Sequence, residues 1–395
     1  MPIEAPILFA RPFIGKEEEE AALRVLRSGW LTTGKETLAF EKEFGEFLQN
    51  SSGSSKPAPP FCLAVNSATS GLHLALEACG IGPGDMVLVP TYTFTSTAEV
   101  VRYLGAEVIF VDVAPGTFHI DPEALEHTLE KLPQGMAKAV MPVHYGGLLC
   151  DMESILAIAQ KYHLKVIEDA AHSFPITKIT GDAAVFSFYA TKTITTGEGG
   201  MIATENAEMA ERMSRMRSHG IDRSIWNRYN DTKASWYYEV TAPGFKYNIP
   251  DILSAIGRAQ LTRAYDLLKM REEIAAIYDE AFADDPHFTL PPKGGARHLY
   301  PIRINPKTLS ISRNFFIEKL QEKGIGVSVH FIPLHTMPYY KNRYALTDKM
   351  FPHALESYNR EISLPIWPGM TREQIEYVAE VVKKIALSYT FKRVR

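Results

Sequence analysis

The sequence lacks the features that mark several large classes of protein. It has three cysteines, Cys62, Cys79 and Cys150, widely separated and without a CxxC spacing. Neither a disulfide framework nor a thiolate zinc site is therefore indicated, and reduced structural thiols are expected. It has no strong excess of either charge, the formal net charge being −4, which gives no electrostatic reason to expect nucleic acid or an anionic membrane as partner. No stretch reaches the about 18 apolar residues of a membrane span. The opening MPIEAPILFARPFIGKEEEE lacks the basic start and long apolar core of a secretory signal, so a cytoplasmic protein is expected. There is no internal repeat, no His/Asp/Glu cluster at metal spacing and hence no metal expected. No GxGxxG follows the first sheet strand, which argues against a nicotinamide dehydrogenase.

The 395 residues, 46% hydrophobic and 22% charged, suit a soluble globular chain too long for one compact core, so two domains are expected. From residue 61, short apolar runs alternate with helical patterns: FCLAV and a helix from Ser70, MVLVP and a helix near Ser96, VIFVDV and a helix from Asp121. The alternation continues through AKAVMPV, a helix after Asp151, LKVIEDA, AVFSFY and MIAT. Such a βαβ rhythm predicts an α/β fold with a mostly parallel seven-stranded sheet covered by helices. A long helix over Tyr265–Phe282 then leads to a strand at Arg297–Ile304, a helix at Arg313–Glu322, a strand at Val327–Phe331 and an amphipathic helix at Thr371–Ala386. These predict a smaller α+β C-terminal domain, dividing the chain into 1–265, with N-terminal helices, and 266–395. The Ser- and Pro-rich stretch 51–60 reads as an exposed loop, and the aromatic-rich 221–246 as a long excursion from the core.

In open α/β sheets, ligands bind beyond the carboxyl ends of the strands. After FCLAV comes Asn66-Ser67-Ala68-Thr69-Ser70-Gly71, small residues entering a helix whose free N–H groups and dipole favour a phosphate, although the same residues also suit an ordinary helix cap. After LKVI comes Glu168-Asp169-Ala170-Ala171-His172. A carboxylate just past a buried strand needs a cationic partner, and a protonated pyridine nitrogen would supply one for Asp169. A solvated turn acid or a metal ligand is the alternative. After AVFSF, Lys192 stands alone among small and hydroxyl residues, a setting that lowers a lysine pKa by desolvation and suits it to bond a carbonyl carbon and move protons. Ser187, five positions earlier, offers a hydroxyl to a phosphate. The order of phosphate cradle, acid and lysine is more specific than any one of them.

These residues, with GIGPGDMVLVPTYTFTSTAEVV, MPVHYGGLLCDM, VIEDAAHS, FSFYATKTITTGEGG, RSHGIDR, GFKYNIPDI and SLPIWPGMT, resemble the DegT/StrS-type sugar aminotransferases nearly end to end. These are enzymes of fold type I that depend on pyridoxal 5'-phosphate (PLP). The resemblance implies that Lys192 holds the cofactor covalently and later carries the proton between cofactor and sugar, and that Asp169 pairs with the pyridinium. It assigns Ala68, Thr69 and Ser187 to the cofactor phosphate, Phe94 to a ring stacked on the cofactor, and His172 to the ring's hydroxyl side. Asn248 would reach the phosphate in a neighbouring subunit, implying a homodimer with shared active sites. His330 and His335 would face the sugar or its diphosphate. From the residues alone, Phe94 could be core packing, Asn248 a turn residue, and either histidine purely structural.

The reaction implied is a transamination in two halves, with glutamate as amino donor and a nucleotide-linked keto sugar as acceptor. EDAAH, TTGEGG and GFKYN look most like relatives that aminate a 4-keto-6-deoxy sugar, giving a 4-amino sugar for surface polysaccharide or glycoconjugate; relatives acting at a 3-keto position more often carry EDAAQ and GDGG. One departure from the family pattern is the Ser-Phe-Pro-Ile-Thr-Lys that follows His172, where relatives have glycines in a loop beside the cofactor. Lys192 argues against the sugar dehydratases built on the same scaffold, which carry His there. A PLP-binding sensor without turnover should have lost one of Lys192, Asp169 or Asn248, and all are present.

Overall fold

The computed structural model describes residues 6–52, 57–176, 178–222 and 237–391. Most of the excursion expected at 221–246, and residues 53–56 of the 51–60 loop, lie outside them. The flanking Pro57–Pro59 are exposed, as a loop there requires, but helix α2 (Lys35–Ser52) runs further into this stretch than expected.

Seven strands form one sheet: β1 (Phe61–Val65), β2 (Met86–Pro90), β3 (Glu107–Val111), β4 (Ala137–Val140), β5 (Lys165–Asp169), β6 (Ala183–Ser187) and β7 (Gly200–Thr204), in the order β1-β7-β6-β5-β4-β2-β3. The β2-β3, β2-β4, β4-β5 and β5-β6 pairs are parallel, and β7 runs antiparallel to both its neighbours. Strand alternation divides their side chains between two faces. Val65, Val87, Ile167, Val185 and Ile202 pack on one face with Leu72 and Leu76 of α3 (Ala68–Ala78), Ala98 and Val101 of α4 (Ser96–Tyr103), and other helices. On the other face Ala64, Ala184, Phe186 and Met201 meet Phe40 and Phe44 of α2. Leu88, Val140 and Val166 there meet α5 (Pro122–Lys131) and α6 (Met152–Tyr162). Burial on both faces is why β2, β6 and β7 read as nearly continuous apolar runs.

Helix α3 begins at Ala68, two residues before the expected Ser70, because Ser67 caps it: its hydroxyl accepts from Ser70 N at 3.1 Å. The helix lies close on the sheet at Gly71, where a Cβ would stand 2.7 Å from Val185 Cγ1. Helices α7 (Ala207–Met216) and α8 (Asp251–Thr262) follow β7. Asp251, at the start of α8, reaches back 217 positions to accept from the N–H of Gly34 and also from those of Glu36 and Thr37, supplying the N-terminal cap of α2.

A second sheet is antiparallel, with β8 (Phe288–Thr289), β9 (Tyr300–Ile304) and β10 (Glu361–Leu364) in the order β10-β9-β8. Helices α9 (Ala264–Ala281), α10 (Arg313–Glu322) and α13 (Arg372–Ser388), the last of the series after α11 (Pro338–Tyr344) and α12 (Pro352–Arg360), close a separate core with it. Helix α9 spans residue 265 without interruption: its Leu267 joins the core of the large sheet, its Ile274 and Tyr278 that of the small one.

Two strand expectations need correction. Val327–Phe331 forms no ladder; only Ser328 bridges, to Ser363. Beyond it the His330 N–H donates to Glu361 Oε2 at 3.0 Å and the His330 carbonyl accepts from Tyr145 Oη, so side chains take the groups that a ladder would use. The strand expected from Arg297 begins at Tyr300, because the N–H groups of His298 and Leu299 turn instead to the carbonyl of Gly146.

Candidate active site

The carboxyl ends of β2, β5 and β6, the start of α3 and the approach to β9 converge on a cavity of about 450 Å³. Ala68, Thr69, Phe94, Asp169, His172, Ser187, Lys192 and His330, all expected from the sequence, line it. Asn248 and His335 do not line it.

At one end, α3 presents its first turn. Ser67 satisfies the N–H of Ser70 through its hydroxyl and that of Gly71 through its carbonyl. The N–H groups of Ala68 and Thr69 have no partner among the described residues, and Ser187 at the end of β6 lies on the same cavity wall. Gly200, paired with Ser187 across β6 and β7, permits this approach, since a Cβ there would stand 2.7 Å from Ala68 N. Free N–H groups at a helix start beside a hydroxyl suit a phosphate.

Asp169 is the last residue of β5 and is buried. Thr97 Oγ1 donates to its Oδ2 at 2.8 Å, and Thr93 Oγ1 lies 2.8 Å from Thr97 Oγ1, so the hydroxyls run in file toward the carboxylate. The N–H of Ala171 donates to Oδ1 at 3.2 Å. Burial raises the Asp169 pKa, opposed by Thr97, by the Ala171 N–H and by the charge of Lys192. A cation bound beside it would offset the remaining cost of burying this carboxylate. Its neighbour Glu168 points to the opposite side of the strand and is fully satisfied there, by His144 Nε2 at 2.9 Å and the N–H groups of Thr180 and Gly181.

Lys192 follows the turn after β6. Desolvation lowers its pKa to about 8, with Arg271 adding to the fall and Asp169 opposing it. Its Nζ stands 3.5 Å from Nε2 of His298, a residue that the sequence reading did not select. His298 is held on both sides of its own backbone: its N–H donates to the Gly146 carbonyl at 3.1 Å and its carbonyl accepts from Arg271 Nη1 at 3.2 Å. Its Nδ1 is buried without a partner. Arg271 also donates to the carbonyls of Ile366 and Thr191, so this fully buried guanidinium ties the Lys192 turn to the strand approach that carries His298.

The His172 ring packs 4.3 Å from that of His298 and 5.8 Å from that of Phe331. The N–H of Gly146 donates to its Nδ1 at 3.2 Å, which leaves any ring proton on Nε2. Burial holds both histidines well below the usual range, so they are neutral. Phe94, although 56% exposed, lines the cavity 5.8 Å from the Phe331 ring and can cover a planar ligand. The Ser-Phe-Pro departure after His172 turns into the core instead: Phe174 stacks on Phe44 at 5.0 Å.

Asn248 lies in the strand-like approach to α8, bridged to Val65, with Nδ2 donating to Thr33 Oγ1 at 2.7 Å and Oδ1 buried without a partner. His335 is fully buried, 2.8 Å from Thr91 Oγ1 and stacked on Phe351 at 4.7 Å, and is a packing residue of the large core's edge. The expectation that it faces a sugar is corrected by this position. Among the described residues there is no cluster of His, Cys, Asp or Glu suited to hold a metal ion, and no helix long and apolar enough to cross a membrane. Cys62 and Cys150 are buried, which pushes both thiols up in pKa.

A phosphate cradle, a carboxylate wanting a cation, a planar-ligand wall and a lysine of lowered pKa fit PLP at its phosphate, ring nitrogen, ring face and aldehyde respectively. The comparisons agree. Spore coat polysaccharide biosynthesis protein SpsC of Bacillus subtilis is 42% identical over 388 residues, covering 95% of this chain and 96% of its own. The structure of Spr1654 from Streptococcus pneumoniae in its pyridoxamine-phosphate form superposes with a TM-score of 0.87 at 28% identity, covering 97% of this chain and 99% of that one. PseC of Helicobacter pylori, an aminotransferase involved in pseudoaminic acid biosynthesis, does so with a TM-score of 0.85 at 30% identity, covering 97% and 100%. The DegT/DnrJ/EryC1/StrS aminotransferase family model matches residues 12–383, and the chain belongs to this PLP-dependent family.

Proposed function

We propose that the protein transfers the amino group of glutamate to the keto carbon of a nucleotide-linked 4-keto-6-deoxy sugar, giving a 4-amino sugar for a surface polysaccharide or glycoconjugate. The observation that carries the reading is Lys192, a desolvated lysine of lowered pKa sharing one cavity with the Asp169 carboxylate and the open first turn of α3. PLP, when bound, supplies the electron sink. The chain supplies the rest: Ala68, Thr69 and Ser187 hold the phosphate, Asp169 keeps the ring nitrogen protonated, Phe94 and His172 confine the ring, and Lys192 takes and returns the proton at the reacting carbon. His330 faces the sugar side of the cavity.

The EDAAH and TTGEGG stretches support the 4-keto assignment, and the printed roles of SpsC and PseC support a glycan destination. The GFKYN stretch, with Asn248 set outside the Lys192 cavity of its own chain, supports a homodimer in which the Asn248 amide NH2 serves a second copy's phosphate site. Residues 1–265 would then form the cofactor-binding domain and 266–395 the smaller one, joined through α9.

Absorbance of the PLP-loaded protein before and after glutamate tests the first half-reaction: the visible band should bleach. Offering nucleotide-linked 4-keto and 3-keto hexoses to the bleached form tests the second. Return of the band with the 3-keto sugar alone would move the assignment to that position, and a band that no donor bleaches would leave a cofactor-binding sensor.

A further inference from the structure

His330 enters the cavity from the side of the small sheet, and its polar groups are engaged one by one. Its N–H donates to Glu361 Oε2 at 3.0 Å. Its Nδ1 lies 2.9 Å from Ser363 Oγ, and that hydroxyl lies 2.5 Å from Glu361 Oε1. Nε2 has no partner among the described residues, and the ring lines the cavity. Glu361 and Ser363 are two positions apart on β10 and therefore project to one face of the strand, where both are fully buried. Burial lowers the His330 pKa to about 4, so the imidazole is neutral and exactly one of its nitrogens carries a proton near neutral pH.

We propose that Glu361 is a positioning residue which, through Ser363, decides whether the His330 nitrogen facing the cavity carries a proton or a lone pair. The proposal rests on the sugar-facing place given to His330 above. When Glu361 is ionised, both oxygens accept, one from the His330 N–H and the other from the Ser363 hydroxyl. Ser363 Oγ can then only accept from His330, which puts the ring proton on Nδ1 and leaves Nε2 as an acceptor for a sugar hydroxyl or an ammonium group. When Glu361 is protonated, Oε2 still accepts the His330 N–H, so the acid proton sits on Oε1 and points to Ser363. The serine then donates to Nδ1, and Nε2–H faces the cavity as a donor to a carbonyl or phosphate oxygen. On ionisation the carboxyl loses one proton to solvent, while His330 exchanges its Nε2 proton for one at Nδ1 and keeps its charge.

Burial raises the Glu361 pKa to about 8, the Ser363 hydroxyl, the His330 N–H and Arg313 opposing it, so both states are accessible. The titratable groups around it are Arg313 of α10, whose Nη1 donates to the Glu361 carbonyl at 3.1 Å, Arg303, its register partner on β9, His330 itself, and the buried phenols Tyr92 and Tyr145, whose charges would be felt at Glu361. Both phenols are held well above their usual range by burial and stay neutral, so neither changes charge as the carboxyl titrates.

The test is the 15N spectrum of the histidine-labelled, PLP-loaded protein without sugar, at two pH values bracketing about 8, with His330→Asn used to assign the His330 signals. Wild type should show Nε2–H below and Nδ1–H above. Glu361→Gln mimics the acid form, because its amide oxygen must accept the His330 N–H and its NH2 then donates to Ser363; it should show Nε2–H at both. Ser363→Ala should abolish the response to pH. One tautomer of the wild type at both pH values, or a Gln variant that follows the wild type, would overturn the proposal. Should Glu361→Gln not fold, wild type and Ser363→Ala decide it. No sugar is present, so an error in the assigned substrate leaves these outcomes unchanged.

Discussion

Lys192 and His298 meet inside the cavity, with Nζ 3.5 Å from Nε2, although 106 residues separate them in the chain. The contact joins the turn after β6 to the approach to β9, and Arg271 fastens the backbones of both through the carbonyls of Thr191 and His298. A neutral histidine against an amine of lowered pKa adds no charge beside Lys192 and can accept a hydrogen bond from its Nζ, which orients the amine toward a carbonyl.

His298→Ala should therefore slow turnover by on the order of 10-fold, the rate equivalent of losing one orienting hydrogen bond of about 1 kcal/mol. His298→Gln, which keeps a polar atom toward Lys192, should recover part of it. Single-turnover absorbance changes after glutamate addition measure the effect; a rate equal to wild type would reduce His298 to a packing residue.

Lys192→Ala should remove the visible absorbance of the bound cofactor and bring turnover to background. Among the described residues no carboxylate is in hydrogen bond to the side chain, whose one polar contact is His298, so its loss should leave thermal unfolding almost unchanged. Absorbance and a melting curve on the same preparation separate the two effects.

Capture of PLP by the apo protein should accelerate as pH rises and level off above about 8, because only the neutral amine bonds the aldehyde and desolvation has lowered the Lys192 pKa to that value. Asp169 opposes the fall, so Asp169→Asn should move the midpoint to lower pH while weakening retention of the cofactor. Stopped-flow absorbance across pH reads the midpoint, and a shift upward in the Asn variant would contradict the electrostatic account.

Thr97→Val removes the hydroxyl that donates to Asp169 Oδ2 and is close in shape to threonine. A hydrogen bond to a charged group contributes about 1.5–3 kcal/mol. PLP should dissociate about 10- to 100-fold more readily, the affinity equivalent of that range. Dialysis of the loaded protein, followed at the cofactor band, checks it.

Much of the fold could be read in the sequence because the large sheet is covered on both faces. Such strands need apolar residues on both faces over most of their length, and MVLVP and AAVF show it directly. The polar residues at or just beyond the strand ends stand where the sheet opens to a ligand, which is why Asp169, Ser187 and Lys192 could be selected. The small sheet was less legible: Val327–Phe331 has the composition of a strand, but its backbone groups are claimed by Glu361 and Tyr145, partners that no local pattern announces.

The sequence by itself determined the class of chemistry, since a lone lysine, a strand-end acid and a helix start in fixed order, together with the stretches that resemble the sugar aminotransferases, point to one cofactor. Only the tertiary structure decided which of the hydroxyls at Thr91–Thr97 reaches Asp169, that His298 and not His335 stands beside the reacting lysine, and that Phe174 fills the core. The physical reason is that strand and helix periods are local and leave their trace in adjacent residues. A hydrogen bond between side chains 72 or 106 positions apart depends on how separate elements pack, and the identity of either residue alone does not encode it.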